Sequence, residues 1–161
     1  MTRPRSKGSR ADVADVKAYA LKLLGYRSRS RREMLRRLKM KGFDDGRIND
    51  AIKFLEDTGL LSDEDLAPRL LRHSVEDKHL GGKGIRAFLT KRGLDKELVD
   101  KTMLLHTVEM EEESARQLVE KKLRAMKGHP GDVIRRRLWG MLQRRGFSGD
   151  VISRVVDSVK V

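Results

Sequence analysis

The sequence predicts an all-α protein made of three tandem three-helix, helix-turn-helix-like repeats in an elongated array. Three observations predict it. One short word recurs: LKMKGF (38–43), LTKRGL (89–94) and LQRRGF (142–147) each carry a leucine, two bases and a glycine followed by a hydrophobe. Apolar residues on both sides of each glycine keep a spacing of four, which is helical. No segment gives a credible strand.

Taken in order, residues 1–10 of MTRPRSKGSRAD form a basic tail, expected to be disordered. It lacks the apolar stretch of a secretory signal. The first repeat is expected over 11–57. ADVADVKAYALKLL (11–24) sets Val13, Val16, Ala20, Leu23 and Leu24 on one face, and two further helices flank Gly42. The second repeat, 60–106, opens with SDEDLAPRLLRHSVEDKHL (62–80), where Ser62 caps and acids fill the first turn as the helix dipole prefers. Pro68 is expected to kink or offset that helix. The third repeat, 107–161, starts with TVEMEEESARQLVEKKLRAM (107–126), acidic then basic, and stops at KGHPG (127–131). A unit of about 50 residues is marginal alone, so end-to-end stacking would share its burial.

The register is detailed. Gly42, Gly93 and Gly146 recur at intervals of 51 and 53 residues. Eight residues before them stand Met34, Ile85 and Leu138, and four before stand Leu38, Leu89 and Leu142. Phe43, Leu94 and Phe147 follow directly, then Asp44, Asp95 and Ser148. Ile48, Val99 and Ile152 stand six after, and Ile52, Met103 and Val156 ten after. Glycine suits a left-handed helix end, and Asp or Ser suits the N-cap of the next helix.

Composition narrows the function. The formal net charge is +13 over 161 residues, which favours a polyanionic partner such as nucleic acid, an acidic protein or an anionic membrane. Cysteine is absent, so disulfides and thiolate metal sites are excluded, and a reducing, cytoplasmic setting is expected. No apolar run reaches the length of a membrane span. A membrane-surface role is disfavoured too, because no apolar stripe accompanies the bases.

The bases are patterned. RSRSRREMLRRLKMK (27–41) holds eight bases and one acid, and with Leu38 facing inward, Arg32, Arg36 and Lys39 fall on the opposite side. Ten residues before each glycine stand Arg32, Lys83 and Arg136; one before stand Lys41, Arg92 and Arg145. The second set sits at helix C-termini, where the dipole alone favours a cation. The first set sits near N-termini, where it does not, so an anionic partner is the simpler reason. Arg27, Arg29, Lys91, Arg135, Arg137 and Arg144 cluster around these positions. A major-groove reader would concentrate Arg, Asn and Gln on its last helix. Here the third helices are acidic or close to neutral, which argues against a base-reading transcription factor.

No catalytic constellation stands out. His73, His79, His106 and His129 show no metal-ligand spacing, and His73 and His79 read as surface residues of one helix. GGKG (81–84) lacks the upstream glycine of a phosphate loop and reads as a flexible hinge and helix start. SDED (62–65) and EMEEE (109–113) are explained by helix capping and the dipole. No cofactor, metal or enzymatic activity is expected.

Four words in order, RSRS with EMLRRLKMKGF (27–43), LLSDEDLA (60–67), GIRAFLTKRGL (84–94) and LQRRGFSGDVI (142–152), resemble the RecX family of recombinase regulators over about residues 15–161. The chain departs from the family pattern at Leu66, usually aromatic, at Pro68 and at Gly149, usually bulky. The resemblance implies three tandem three-helix repeats and no enzyme. It further implies binding in the groove of the RecA–DNA filament, with restraint of ATP hydrolysis, strand exchange and co-protease activity, and in many members DNA binding. The basic residues named above, Lys39 and Lys41 included and Arg137 apart, become the candidate contacts to RecA or to single- and double-stranded DNA. A row of three cationic units would engage a repeating track by multivalency, as a monomer.

Overall fold

The structure, a computed structural model, describes residues 10–160, with side chains from Ala14 onward. The basic tail expected over residues 1–10 lies outside the described residues except for Arg10, and so does the side chain of Val13. Among the described residues there are nine α-helices, one 3-10 turn and no strand. The helices are α1 (Arg10–Tyr26), α2 (Arg31–Lys41), α3 (Asp45–Asp57), α4 (Asp63–Glu76), α5 (Gly82–Lys91), α6 (Lys96–Met103), α7 (Val108–Leu123), α8 (Gly131–Arg144) and α9 (Gly149–Asp157), with the 3-10 turn at Arg124–Met126.

The repeated word does the same local work three times. Gly42, Gly93 and Gly146 take φ of 93°, 90° and 82°, a left-handed backbone that a Cβ would strain. Two residues on, Asp44 accepts from the Gly46 amide at 3.1 Å, Asp95 from Leu98 at 2.8 Å and Ser148 from Val151 at 3.3 Å. Each cap satisfies an amide that has no partner inside its helix. The register residues Met34, Ile85, Leu138, Leu38, Leu89 and Leu142 are all fully buried. Phe43 and Met103 are half-buried, while their counterparts in the other repeats are buried.

Contacts divide the chain into two compact units, one through Leu66 and one from Ala67 onward, with the boundary inside α4. In the first, Val16, Ala20 and Leu23 of α1 pack with Met34 and Leu38 of α2 and with Ile48, Ile52 and Leu55 of α3. Ser30 closes a capping box with Glu33 at the start of α2. The Arg31 amide donates to Asp63 at 2.8 Å and its guanidinium to Glu56 at 2.9 Å.

In the second unit, Ala115, Leu118 and Val119 of α7 pack with Ile134, Leu138 and Leu142 of α8 and with the valines and Ile152 of α9. The segment GGKG is not a hinge. Gly81 donates to the Arg145 carbonyl at 3.0 Å and Lys83 to that of Gly146 at 3.1 Å, so the start of α5 is bonded to the end of α8. A Cβ on Gly81 would lie 2.3 Å from the Phe147 backbone, and one on Gly84 would lie 2.2 Å from the Arg145 oxygen. The glycines are there because two backbones meet. Glu111, buried in α7, accepts from the Gly82 amide at 3.2 Å and the Ser148 amide at 3.0 Å, tying α5, α7 and α9 together. The acidic word EMEEE therefore holds a joint as well as complementing the dipole.

Two local expectations change, at His79 and Arg136. Helix α4 stops at Glu76, so His79 lies beyond it in a half-buried turn at φ 48°, not on a helix surface. The helix runs on through the exposed Pro68, which lacks the N–H that would otherwise bond the Glu64 carbonyl. Arg136 is the sixth residue of α8, a turn deeper than the second-position Arg32 and Lys83, because α8 begins early at Gly131. Its position is no longer disfavoured by the dipole.

Candidate polyanion-binding face

In the first unit, Arg32, Arg36, Lys39 and Lys41 are exposed along α2, as the inward position of Leu38 requires. Arg27 pairs with Glu33 at 3.0 Å, Lys39 approaches Asp45 at 3.7 Å, and the Lys41 ammonium sits 5.4 Å from the Tyr19 ring centre. Arg29 is different. It is 8% exposed, and its Nε donates to the Leu23 carbonyl at 3.4 Å. It braces the α1–α2 connection and has little surface to offer a partner.

In the second unit, Lys83 and Lys91 are exposed on α5, while Arg92 is half-buried at its C-cap, its guanidinium 5.9 Å from the Phe88 ring. Arg135, Arg136 and Arg144 are exposed on α8. Arg145, half-buried, donates to the Lys78 carbonyl, which fixes its side chain beside the 77–80 turn.

The structure gathers three of these residues around one concavity. A hollow of about 660 Å³ is lined by Arg136, Arg137, Arg144 and Arg145 from α8 and its C-cap and by Lys122 from α7, with Met126, Gly140 and Met141 completing the wall. Among the described residues that line it there is no acid. Gly140, inside a helix where glycine costs about 0.5–1 kcal/mol relative to alanine, keeps the hollow open beside Arg144. A second hollow of about 380 Å³ shares Lys122 and Arg145 and adds Lys78, Lys121, His79 and Phe88, with one acid, Asp77. The two together form a cationic track along the C-terminal end of α7.

His79 reports on that potential. Its pKa is held below 6.5, first by burial and then by the charges of Lys121 and Arg145, against an opposing pull from Asp77. Lys78, Lys121 and Lys122 escaped the sequence reading because lysines ending a helix are explained by the dipole. Only the packing of α7 against α8 turns Lys122 towards the arginines. Lys83, Lys91, Arg92 and Arg135 do not line either hollow. Among the described residues no group of three or more His, Asp or Glu could hold a metal, and no helix is long and apolar enough to cross a membrane.

Fold and charge together define a class: an all-α protein of tandem three-helix repeats that carries a concentrated cationic concavity on its last repeat. Comparison with known proteins gives the class its family. The model of the RecX third three-helix domain matches residues 109–156, and that of the first three-helix domain matches 17–55. The regulatory protein RecX of Mycobacterium sp. (strain KMS) is 35% identical, with 95% of this chain and 85% of the relative aligned. That of Streptomyces coelicolor is 31% identical over 91% of this chain and 78% of its own length. The crystal structure of RecX from Lactobacillus salivarius superposes with a TM-score of 0.77 at 24% identity, covering 91% of this chain and 96% of that one. The chain belongs to the RecX family.

Proposed function

We propose that this protein binds the RecA–DNA filament in its groove and restrains RecA's ATPase, strand exchange and co-protease activities, without catalysing a reaction itself. The observation that carries the reading is the pair of joined cationic hollows lined by α7, α8 and the 77–80 turn, with a single acid, Asp77, among their lining residues. Arginine guanidinium groups match phosphate in shape and charge, and a concave wall of them follows a backbone rather than reading base edges. Contact with DNA is therefore sequence-independent and falls steeply with salt, because each neutralised phosphate releases counterions. The bases of α2 and α5 add further contacts, and the protein acts as a monomer whose repeats engage a repeating track.

The test is RecA's DNA-dependent ATPase at a fixed DNA excess. Sub-stoichiometric protein should slow it, and an unaffected rate would overturn the reading. A strong preference for one short duplex that survives high salt would favour a transcriptional regulator with no filament partner.

A further inference from the structure

The second unit also carries a surface of the opposite character. Between the end of α4 and the first two turns of α7 runs a groove of about 380 Å³. Val75 and Met110 give it apolar walls, and Glu76, Glu109 and Glu113 stand around them with Gln117 at the far end. Met110, Glu113 and Gln117 follow at helical spacing on a flank of α7 that the core does not use. The chain leading into α7 continues the apolar character: Leu104 is 83% exposed, Leu105 58% and Val108 52%. Among the described residues none of the three carboxylates is ion-paired, although the protein has 37 Lys and Arg to 24 Asp and Glu.

This combination has a definite complement. Unpaired carboxylates repel a phosphate backbone, so the groove is unsuited to DNA. Exposed aliphatic side chains within an acidic rim suit a protein segment whose own aliphatic side chains are flanked by lysines or arginines. We propose that the groove docks such a segment, and that within the filament it is supplied by the recombinase. The cationic hollows then take the DNA, and the acidic groove takes the protein. The proposal rests on the filament reading above.

The experiment compares the parent with the double variant Glu109→Gln/Glu113→Gln and with Met110→Ser. All three positions are exposed, so folding should hold, and thermal melts check it. Each protein is titrated against a labelled oligonucleotide alone and against RecA filaments assembled on poly(dT). Removing two negative charges should leave oligonucleotide affinity equal or slightly higher, while filament affinity falls about tenfold for both variants. The opposite signs are the signature. If filament affinity rises with oligonucleotide affinity in the double variant, or stays at the parent's value in Met110→Ser, the groove docks no recombinase segment. A parent that self-associates in sedimentation, with Met110→Ser monomeric, would assign the groove to a second copy and overturn the proposal. A parent that binds no filament at all overturns the filament reading and this one with it. Unchanged variants beside an active parent overturn this one alone.

Discussion

Gly84→Ala should damage the second unit far more than a single methyl group suggests. The added carbon would lie 2.2 Å from the Arg145 carbonyl oxygen, 3.1 Å from its carbonyl carbon and 3.3 Å from the Leu80 Cβ. The first two obstacles are backbone, so no rotamer change relieves them. The start of α5 must withdraw from the end of α8, which loosens the hydrogen bonds from Gly81 to Arg145 and from Lys83 to Gly146. Overpacking costs typically 1–3 kcal/mol, and each lost hydrogen bond adds about 0.5–1.5 kcal/mol. The sum is about 3 kcal/mol or more, against which alanine's better helix propensity returns up to about 1 kcal/mol. The expected net loss is therefore about 2–3 kcal/mol, a fall in Tm of roughly 4–12 °C at about 2–4 °C per kcal/mol for a chain of this size. Gly25→Ala is the control: it lies inside α1 with nothing within 4 Å of an added Cβ, so it should hold or slightly raise stability. Circular dichroism melts of the three proteins decide it. Equal melting of Gly84→Ala and the parent would refute the close-packed joint and restore GGKG as a hinge.

Other outcomes follow from the same structure. Replacing Arg32, Lys83 and Arg136 by Gln should leave melting unchanged, weaken ATPase inhibition modestly one at a time and far more together, because avidity multiplies the contacts; a fully active triple variant would make these bases a solvated face. Arg29→Gln should instead destabilise the fold, by roughly 1.5–3 kcal/mol for a lost hydrogen bond from a buried charged group, and leave salt-dependent DNA binding intact, checked by melts beside anisotropy. Lys122→Gln/Arg144→Gln should reduce the slope of log affinity against log salt by about 2 if both contact phosphate, read from titrations at several salt concentrations. Stability should fall on acidification: burial holds the pKa of both His79 and His106 below 6.5, so as the pH drops below that value the unfolded chain takes up protons before the folded one. Urea midpoints between pH 7.5 and 5.5 measure this, and a flat profile would contradict it.

Much of the fold was readable because one periodic word encodes it. A leucine, a left-handed glycine and an Asp or Ser cap are local instructions, and all three copies obey them. The charged stripe of α2 was readable for the same reason, since Leu38 fixes which way Arg32, Arg36 and Lys39 face. What escaped depends on contacts distant in sequence. Glycines that permit two backbones to touch look like glycines in a hinge. Glu111 looks like any acid of a helix first turn until the Gly82 and Ser148 amides are seen to converge on it. Arg29 carries the same charge as Arg27, and only the tertiary structure separates the buried brace from the surface residue.

The placement of charge in the second unit bears on how a regulator could tell a filament from bare DNA. A cationic protein alone is drawn to any nucleic acid, and most of the polyanion in a cell is not the target. On the reading proposed above, helix α7 would counter this: it runs from Glu109 and Glu113 at its first turns to Lys121 and Lys122 at its last, so one element borders both an acidic groove and a cationic hollow. The dipole favours that order, which makes the arrangement inexpensive in stability. Bare DNA would then satisfy only the cationic end and leave the acidic end to solvent. A nucleoprotein track would satisfy both, and the preference for it would then be the affinity gained at the groove multiplied by that of the hollow. Specificity of this kind needs no base contact, in keeping with third helices that lack a base reader's chemistry.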